Sequence, residues 1–162
     1  MNWKILVDRK KIDDLLALSA YQWYLLIAAL LLLPLIGLSL RLFGFKKTYN
    51  HAIPQDKKST IQSNPSDAKL QKAQVIARMI DIAAAHGFYK ANCLSRSLLL
   101  LRALKKRDIP CQLMIGVNND GNISKIDLSA HAWVESRNVV LNDKADVALR
   151  FKAFPLLKDS LQ

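Results

Sequence analysis

The chain has 162 residues, carries a net charge of +11 and is 51% hydrophobic. This size suits one compact domain with an appendage. Two cysteines are too few for a secreted disulfide framework, which favours a reducing compartment.

The excess of basic over acidic residues favours anionic binding partners. No arginine-rich arm supports nucleic acid, so we expect no nucleic-acid partner. The sequence contains no zinc-ligand pattern and no glycine-rich phosphate loop, so we expect no metal and no cofactor.

The N-terminal part of the chain is dominated by an apolar segment. Residues 15–40 carry no charge, and about 20 such residues suffice to cross a bilayer. Aromatic residues lie near its start, and Arg41, Lys46 and Lys47 follow its end, as at membrane interfaces. Two interpretations remain open for this segment, which we place in residues 1–47. It is a single-pass anchor over about residues 21–42, or a helix that docks on the domain or on a partner protein.

A polar stretch separates this segment from the rest of the chain. Residues 48–67 contain two prolines and a lysine pair, which predicts a linker before a domain at 68–162. Within that domain, Ser66 or Asp67 would cap a helix that runs to about residue 86, and Gly87 suits its end. A second helix begins at Cys93.

Three strand-like stretches follow the helices. Residues 111–117, 130–135 and 139–143 are rich in the apolar and β-branched residues typical of strands. Cys111 is interpreted as a buried residue of the first stretch. Helices that precede a short antiparallel sheet predict an α+β fold.

Cys93, His131 and Asp143 occur in an order and setting that suit a cysteine nucleophile. A thiol in the first turn of a helix is easier to ionise, and the backbone N–H there can help to bind an oxyanion. His131 in a strand can accept the thiol proton, and the Asp143 carboxylate can hold the imidazole in one tautomer. Each residue taken alone is more often structural, so their order and surroundings carry the prediction.

The third member of this set is ambiguous, because Asn142 directly precedes Asp143 and either side chain can orient an imidazole. A three-residue turn ending at Asn138 would set His131 opposite Asp143. A two-residue turn, Arg137-Asn138, would shift the register by one residue and favour Asn142. Asn138 tolerates the left-handed conformation that the longer turn requires. We therefore predict the three-residue turn, with Asp143 in this role.

The sequence between Asn92 and Val117 contains the blocks Cys-Leu-x-Arg-Ser-Leu, Leu-x-x-Arg-x-Ile-Pro and Leu-x-Ile-Gly-Val, followed by Ala-His-Ala-Trp-Val-Glu and Asn-Asp. These blocks closely resemble the lasso-peptide leader peptidases, the microcin-processing proteins of the transglutaminase-like cysteine-protease superfamily. The resemblance covers about residues 70–155. It implies a transglutaminase-like or papain-like core with Cys93 as nucleophile, His131 as base and Asp143 as the orienting residue.

The resemblance also implies a thiol protease that removes the leader from a ribosomally made lasso-peptide precursor, before a separate cyclase closes the ring. Residues 1–68 are too short and too hydrophobic for the leader-recognition domain of some relatives, so we expect a separate recognition protein. The implied location is the bacterial cytoplasm or the cytoplasmic face of the inner membrane. Two alternatives are a transglutaminase-like acyl transferase and a non-catalytic, membrane-anchored peptide-binding module.

Overall fold

The computed structural model describes residues 18–52, 66–118 and 130–155. Helices precede strands, and a four-residue helix lies before the last strand. In chain order the elements are α1 (Ala20–Ala52), α2 (Asp67–His86), α3 (Cys93–Lys105), β1 (Gln112–Asn118), β2 (Ala130–Ser136), β3 (Val139–Val140), α4 (Val147–Arg150) and β4 (Phe151–Pro155). The strands form an antiparallel sheet of order β3-β2-β1-β4. The predicted α+β class, with a hydrophobic N-terminal helix, is confirmed.

The apolar N-terminal segment forms α1, which packs against α2 and α3. Leu25, Leu26, Ala29 and Leu33 of α1 are buried in the common core. The helix kinks at Gly44, where φ is +73°, a left-handed value that favours glycine. Beyond Gly44 the chain folds back, so that the Thr48 Oγ1 lies 3.0 Å from the Ser39 Oγ. A second helical piece then runs to Ala52, so the first five residues of the predicted linker at 48–67 are helical. Residues 53–65 of that linker lie outside the described residues.

The helix α2 ends at His86, as the sequence predicted. The residue that follows, Gly87, has an extended backbone with φ −73° and ψ 169°, so it is not the left-handed stop that glycine commonly provides. Its missing side chain matters for packing instead. A Cβ on Gly87 would lie 2.4 Å from the Ala83 carbonyl oxygen and 2.9 Å from Leu30 Cδ2 of α1. Glycine therefore allows α1 to approach the connection between α2 and α3.

The helix α3 is the central element of the fold. It contacts α1 and α2 on one side and β1 and β2 on the other. Five of its leucines are buried: Leu98, Leu99, Leu100, Leu101 and Leu104. Each buried leucine contributes on the order of 1.5–3 kcal/mol. This burial fixes the position of α3, and with it the position of its first residue, Cys93.

The hairpin between β2 and β3 differs from the predicted one. Glu135 pairs with Val140 and Ser136 with Val139, which leaves Arg137 and Asn138 as a two-residue turn. Both have positive φ, 51° and 60°, as a type I′ turn requires. The predicted three-residue turn is therefore wrong. One reason is local: Ser136 stays in the strand.

Two long-range contacts hold this turn. The Oγ of Ser136 donates a hydrogen bond to the Pro110 carbonyl oxygen at 2.6 Å. The Arg137 guanidinium forms an ion pair with Asp67 at the start of α2, with 2.7 Å between Nη1 and Oδ1. The third strand is also shorter than predicted, because residues 141–143 form a bend after Val140. The strand β4 and the short helix α4 were not predicted.

Candidate active site

The first turn of α3, the helix that packs on β1 and β2, contains Cys93. Asn92 caps the helix, and its Oδ1 accepts hydrogen bonds from the backbone N–H and the Oγ of Ser95, both at 2.8 Å. Cys93 is thus the first helical residue, as predicted, and is half-buried. A backbone N–H at this position has no acceptor within the helix. The helix start therefore offers both a thiol and an available N–H donor.

A buried hydrogen-bond network joins α3 to the outer edge of β2. The Oγ of Ser97 donates to the Ala132 carbonyl oxygen at 2.9 Å, and the Asn142 Nδ2 donates to that Oγ at 2.9 Å. The backbone N–H of Val134 donates to the Asn142 Oδ1 at 2.8 Å. The strand β3 pairs only with the last two residues of β2. Ser97 and Asn142 therefore satisfy backbone groups that β3 is too short to reach.

The network brings Cys93 and His131 into the same region. Ser97 lies one helical turn after Cys93, about 6 Å along the axis, and it contacts the carbonyl of Ala132, the residue after His131. Within the described residues, no hydrogen bond joins the Cys93 thiol to His131. Hydrogen bonds between catalytic groups commonly tighten when substrate binds.

His131 and Asp143 are hydrogen-bonded to each other through Nε2 and Oδ2. The two-residue turn would have favoured Asn142 by strand parity, but Asn142 bonds to Ser97 and Val134. The alternation of side chains along a strand does not apply to Asp143, because Asp143 lies in the bend beyond β3 and not in a strand. Among the described residues, no group hydrogen-bonds the second ring nitrogen of His131, Nδ1. That nitrogen is available to accept a proton.

The Asp143 carboxylate is held by several donors besides His131. Its Oδ1 accepts the backbone N–H of Lys144 at 2.7 Å and the Arg150 Nη2 at 3.1 Å. Burial is the largest influence and raises the pKa of Asp143. The hydrogen bonds from His131, Lys144 and Arg150 and the charge of His131 together outweigh it, so the pKa lies below its usual value. Asp143 is therefore a carboxylate at neutral pH.

Two aromatic rings fix the plane of the His131 imidazole. The Phe151 ring is stacked on it with 4.9 Å between centroids, and the Trp133 ring lies 6.1 Å away. Trp133 is fully buried, and its Nε1 donates to the Glu135 Oε1 at 2.7 Å. Trp133 follows His131 by two residues in β2, so both side chains lie on the same face of the strand. Phe151 was missed, because it reaches the site only through the pairing of β4 with β1.

Gly116 of β1 leaves room for this aromatic stack. It pairs with His131 across the sheet. A Cβ at this position would lie 2.8 Å from the Phe151 Cβ and 3.0 Å from the Trp133 ring. These distances are too short for real side chains, so any other residue must displace one of the rings. The sequence signal was the glycine itself, since glycine inside a strand often marks a close approach.

An ion pair lies between the first turn of α3 and α2. The Arg96 Nη1 is 3.3 Å from the Asp81 Oδ1. Burial, together with the nearby charge of Asp143, raises the pKa of Asp81 to about 6, although Arg96 partly opposes the shift. In the described residues, no group of three histidine, cysteine or acidic side chains is placed to hold a metal ion.

Comparison with known proteins agrees with this architecture. A family model described as the transglutaminase-like superfamily matches residues 34–155, from the middle of α1 to the end of β4. No curated protein and no solved structure gives a significant match. The matched region covers most of the chain and contains Cys93, His131 and Asp143. The chain therefore belongs to the transglutaminase-like superfamily.

Proposed function

We propose that this chain is a cysteine peptidase with Cys93 as nucleophile, His131 as general base and Asp143 as the residue that orients the imidazole. The superfamily is compatible with cysteine peptidases and with acyltransferases. The hydrogen bond between His131 and Asp143 carries the proposal, because it occupies Nε2 and leaves Nδ1 for the thiol. A non-catalytic binding module would have no need of a carboxylate that bonds a histidine packed against two aromatic rings.

The chemistry follows from these positions. The Nδ1 of His131 accepts the Cys93 proton, and the thiolate attacks the scissile carbonyl to form a tetrahedral oxyanion that the backbone N–H of Cys93 can stabilise. The C–N bond breaks as the imidazolium protonates the leaving amine, which leaves a thioester on Cys93. His131 then deprotonates water, which attacks the thioester and releases a carboxylate and the free thiol.

The proposed substrate is the leader of a ribosomally synthesised lasso-peptide precursor. The support is the set of sequence blocks around Cys93, His131 and Asp143, which resemble the lasso-peptide leader peptidases. A separate recognition protein would deliver the leader, and a separate cyclase would use the released core peptide. The net charge of +11 suits an acidic peptide segment.

The test is a cleavage reaction followed by mass spectrometry. The purified chain is incubated with a lasso precursor and its recognition protein, and we expect a leader and a core whose summed mass exceeds that of the precursor by one water. Cys93→Ala is expected to abolish cleavage, whereas Cys111→Ala, at the other cysteine, is expected to retain it. Cleavage that persists in Cys93→Ala would contradict the proposal.

The acyltransferase alternative passes through the same thioester and differs in what attacks it. Repeating the reaction with a primary amine in excess distinguishes the two. A product that carries the mass of the amine in place of water, at a rate above that of hydrolysis, would assign the chain to the transferases.

A further inference from the structure

The face of α1 that points away from the domain carries a continuous apolar stripe. Every member is at least half exposed, and the members recur at intervals of three or four residues: Tyr24, Ile27, Leu31, Leu35, Leu38 and Leu42. The stripe is about 27 Å long at 1.5 Å per residue. A contiguous exposed apolar surface of this kind marks an interaction site.

The opposite face of α1 is apolar as well, but it is already occupied. Leu26, Ala29 and Leu33 repeat at the same helical spacing and are buried against α2 and α3. A helix that is apolar on both faces is normally buried on both. The second face therefore needs a cover that the domain does not provide in the described residues.

Packing on the domain disfavours a membrane-spanning position for α1 in this conformation. By length and hydropathy, residues Ala20–His51 could cross a bilayer. However, the middle of α1 touches the loop that leads into α3, where Gly87 meets Leu30 and Tyr89 meets Gly37. Lys90, next in the chain, is exposed. A spanning α1 would carry Lys90 toward the bilayer centre, where a lysine costs about 2.5–3.5 kcal/mol.

The ends of the stripe indicate what covers it. Tyr21 and Trp23 are exposed at the start of α1, and both types are enriched at the headgroup level of membranes. Arg41 is exposed at the other end of the stripe, and Lys46 and Lys47 are exposed just after the turn at Gly44. Each such cation near an anionic lipid surface contributes about 1 kcal/mol. An isolated helix that lies in a membrane surface also has a polar face. α1 has none, but its second apolar face is covered by α2 and α3. The side of α1 that can meet lipid therefore consists of the stripe, the aromatic residues at its start and the cations near its end.

We propose that α1 lies flat in the surface of an anionic membrane, with its exposed stripe in the boundary between headgroups and acyl chains, and holds the domain on one side of the bilayer. The partner is a lipid surface of negative charge. The stripe enters about 5–10 Å, and Arg41, Lys46 and Lys47 contact the phosphates. This role is independent of the proposed peptidase activity.

Vesicle flotation with the full chain tests the proposal. The chain is expected to float with vesicles of phosphatidylglycerol and phosphatidylethanolamine, and at least about tenfold less with phosphatidylcholine alone, because the cations then lack a partner. The double variant Leu31→Glu, Leu35→Glu is expected to lose flotation. Leu149→Glu is the matched control, since Leu149 is 82% exposed but lies on α4. Equal flotation on both vesicle types would contradict the charge requirement.

The same variants test whether the protein remains folded and whether a second copy of the chain covers the stripe instead of lipid. Circular dichroism melting should show that the double variant is folded; if it is not, Lys46→Glu, Lys47→Glu must weaken flotation on anionic vesicles. Light scattering without lipid should give a monomer. A dimer that Leu31→Glu, Leu35→Glu dissociates would overturn the proposal, because a second copy would then cover the stripe.

A labelling experiment distinguishes lying on the bilayer from crossing it. Single cysteines at Ser19, before the start of α1, and at Lys46, just after the turn at Gly44, are introduced in a Cys93→Ala, Cys111→Ala background; both positions are exposed. A membrane-impermeant maleimide should label both positions equally on intact vesicles. Protection of one end until detergent is added would show that α1 spans the bilayer and would overturn the proposal.

Discussion

Asn142 and Asp143 are neighbours in the chain but hold different parts of the site: Asn142 bridges Ser97 of α3 and Val134 of β2, whereas Asp143 bonds the His131 ring. The amide side chain, which can donate and accept at once, connects a hydroxyl to a backbone N–H. The carboxylate, which only accepts, faces an imidazole and a guanidinium. The bend after β3 allows consecutive side chains to serve both purposes, and this separation makes the two roles testable one at a time.

Replacing Asp143 with asparagine should reduce activity with little loss of stability. The amide keeps the shape of the carboxylate but cannot stabilise an imidazolium, and it favours the wrong tautomer of His131. We expect kcat to fall by about 10²–10⁴-fold, as for the equivalent change in other triads, and the melting temperature to change little. Steady-state kinetics and a thermal melt check this. Unchanged kcat would remove Asp143 from the proposed mechanism.

Replacing Asn142 with alanine should instead affect stability. The change leaves the backbone N–H of Val134 buried without its acceptor and removes a donor from Ser97. An unsatisfied buried group costs about 1–3 kcal/mol, which chemical denaturation measures. If Asn142→Ala lowered kcat as strongly as Asp143→Asn while leaving the free energy of unfolding unchanged, the assignment of the two neighbours would be reversed.

The aromatic stack predicts a sharp effect at Gly116. Gly116→Ala places a Cβ 2.8 Å from the Phe151 Cβ, so the ring stacked on His131 must move. We expect a loss in kcat that exceeds the loss at the matched variant Gly44→Ala. Gly44 lies on α1 with nothing within 4 Å of its Cβ position, so its variant reports only backbone strain. Wild-type kcat in Gly116→Ala would show that the stack does not position the imidazole.

The features that the sequence predicted are those with local causes. The start of α3 follows from the Asn92 cap, which directly precedes Cys93. The sequence also marked the end of α2 by Gly87, although Gly87 does not adopt the left-handed conformation of a helix stop. The turn type was not predictable from local sequence, because Arg137 adopts a positive φ beside an ion pair with Asp67, 70 residues earlier in the chain. Likewise Phe151 meets His131 only because β4 pairs with β1, a contact that no neighbouring residue indicates.

The two cysteines should differ in reactivity. Burial raises the pKa of Cys111 to about 11, with Lys105 partly opposing the shift, so little thiolate forms there at neutral pH. Cys93 lies half-buried at a helix N-terminus, in the same region as the candidate base His131. With limiting iodoacetamide at pH 7, peptide mapping should find the adduct on Cys93 well before Cys111, and inactivation should follow the modification of Cys93. Faster modification of Cys111 would contradict an activated nucleophile at Cys93.

Asp81 should make the fold less stable as pH rises from about 4 to about 6. Its pKa is raised from 3.8 to about 6 in the folded protein, so the folded state binds the proton more tightly than the unfolded state. The stability that the protonated carboxyl contributes is therefore fully present below pH 3.8 and is lost as pH rises through 6.

The variant Asp81→Asn lacks this pH-dependent loss of stability. The melting temperature of Asp81→Asn should therefore rise relative to that of the wild type between pH 4 and pH 7. Arg96→Gln is the matched change, because removing the nearby cation should raise the pKa of Asp81 further and move the loss to higher pH. A melting-temperature difference between Asp81→Asn and wild type that stays constant over this range would show that Asp81 ionises as an ordinary exposed carboxyl.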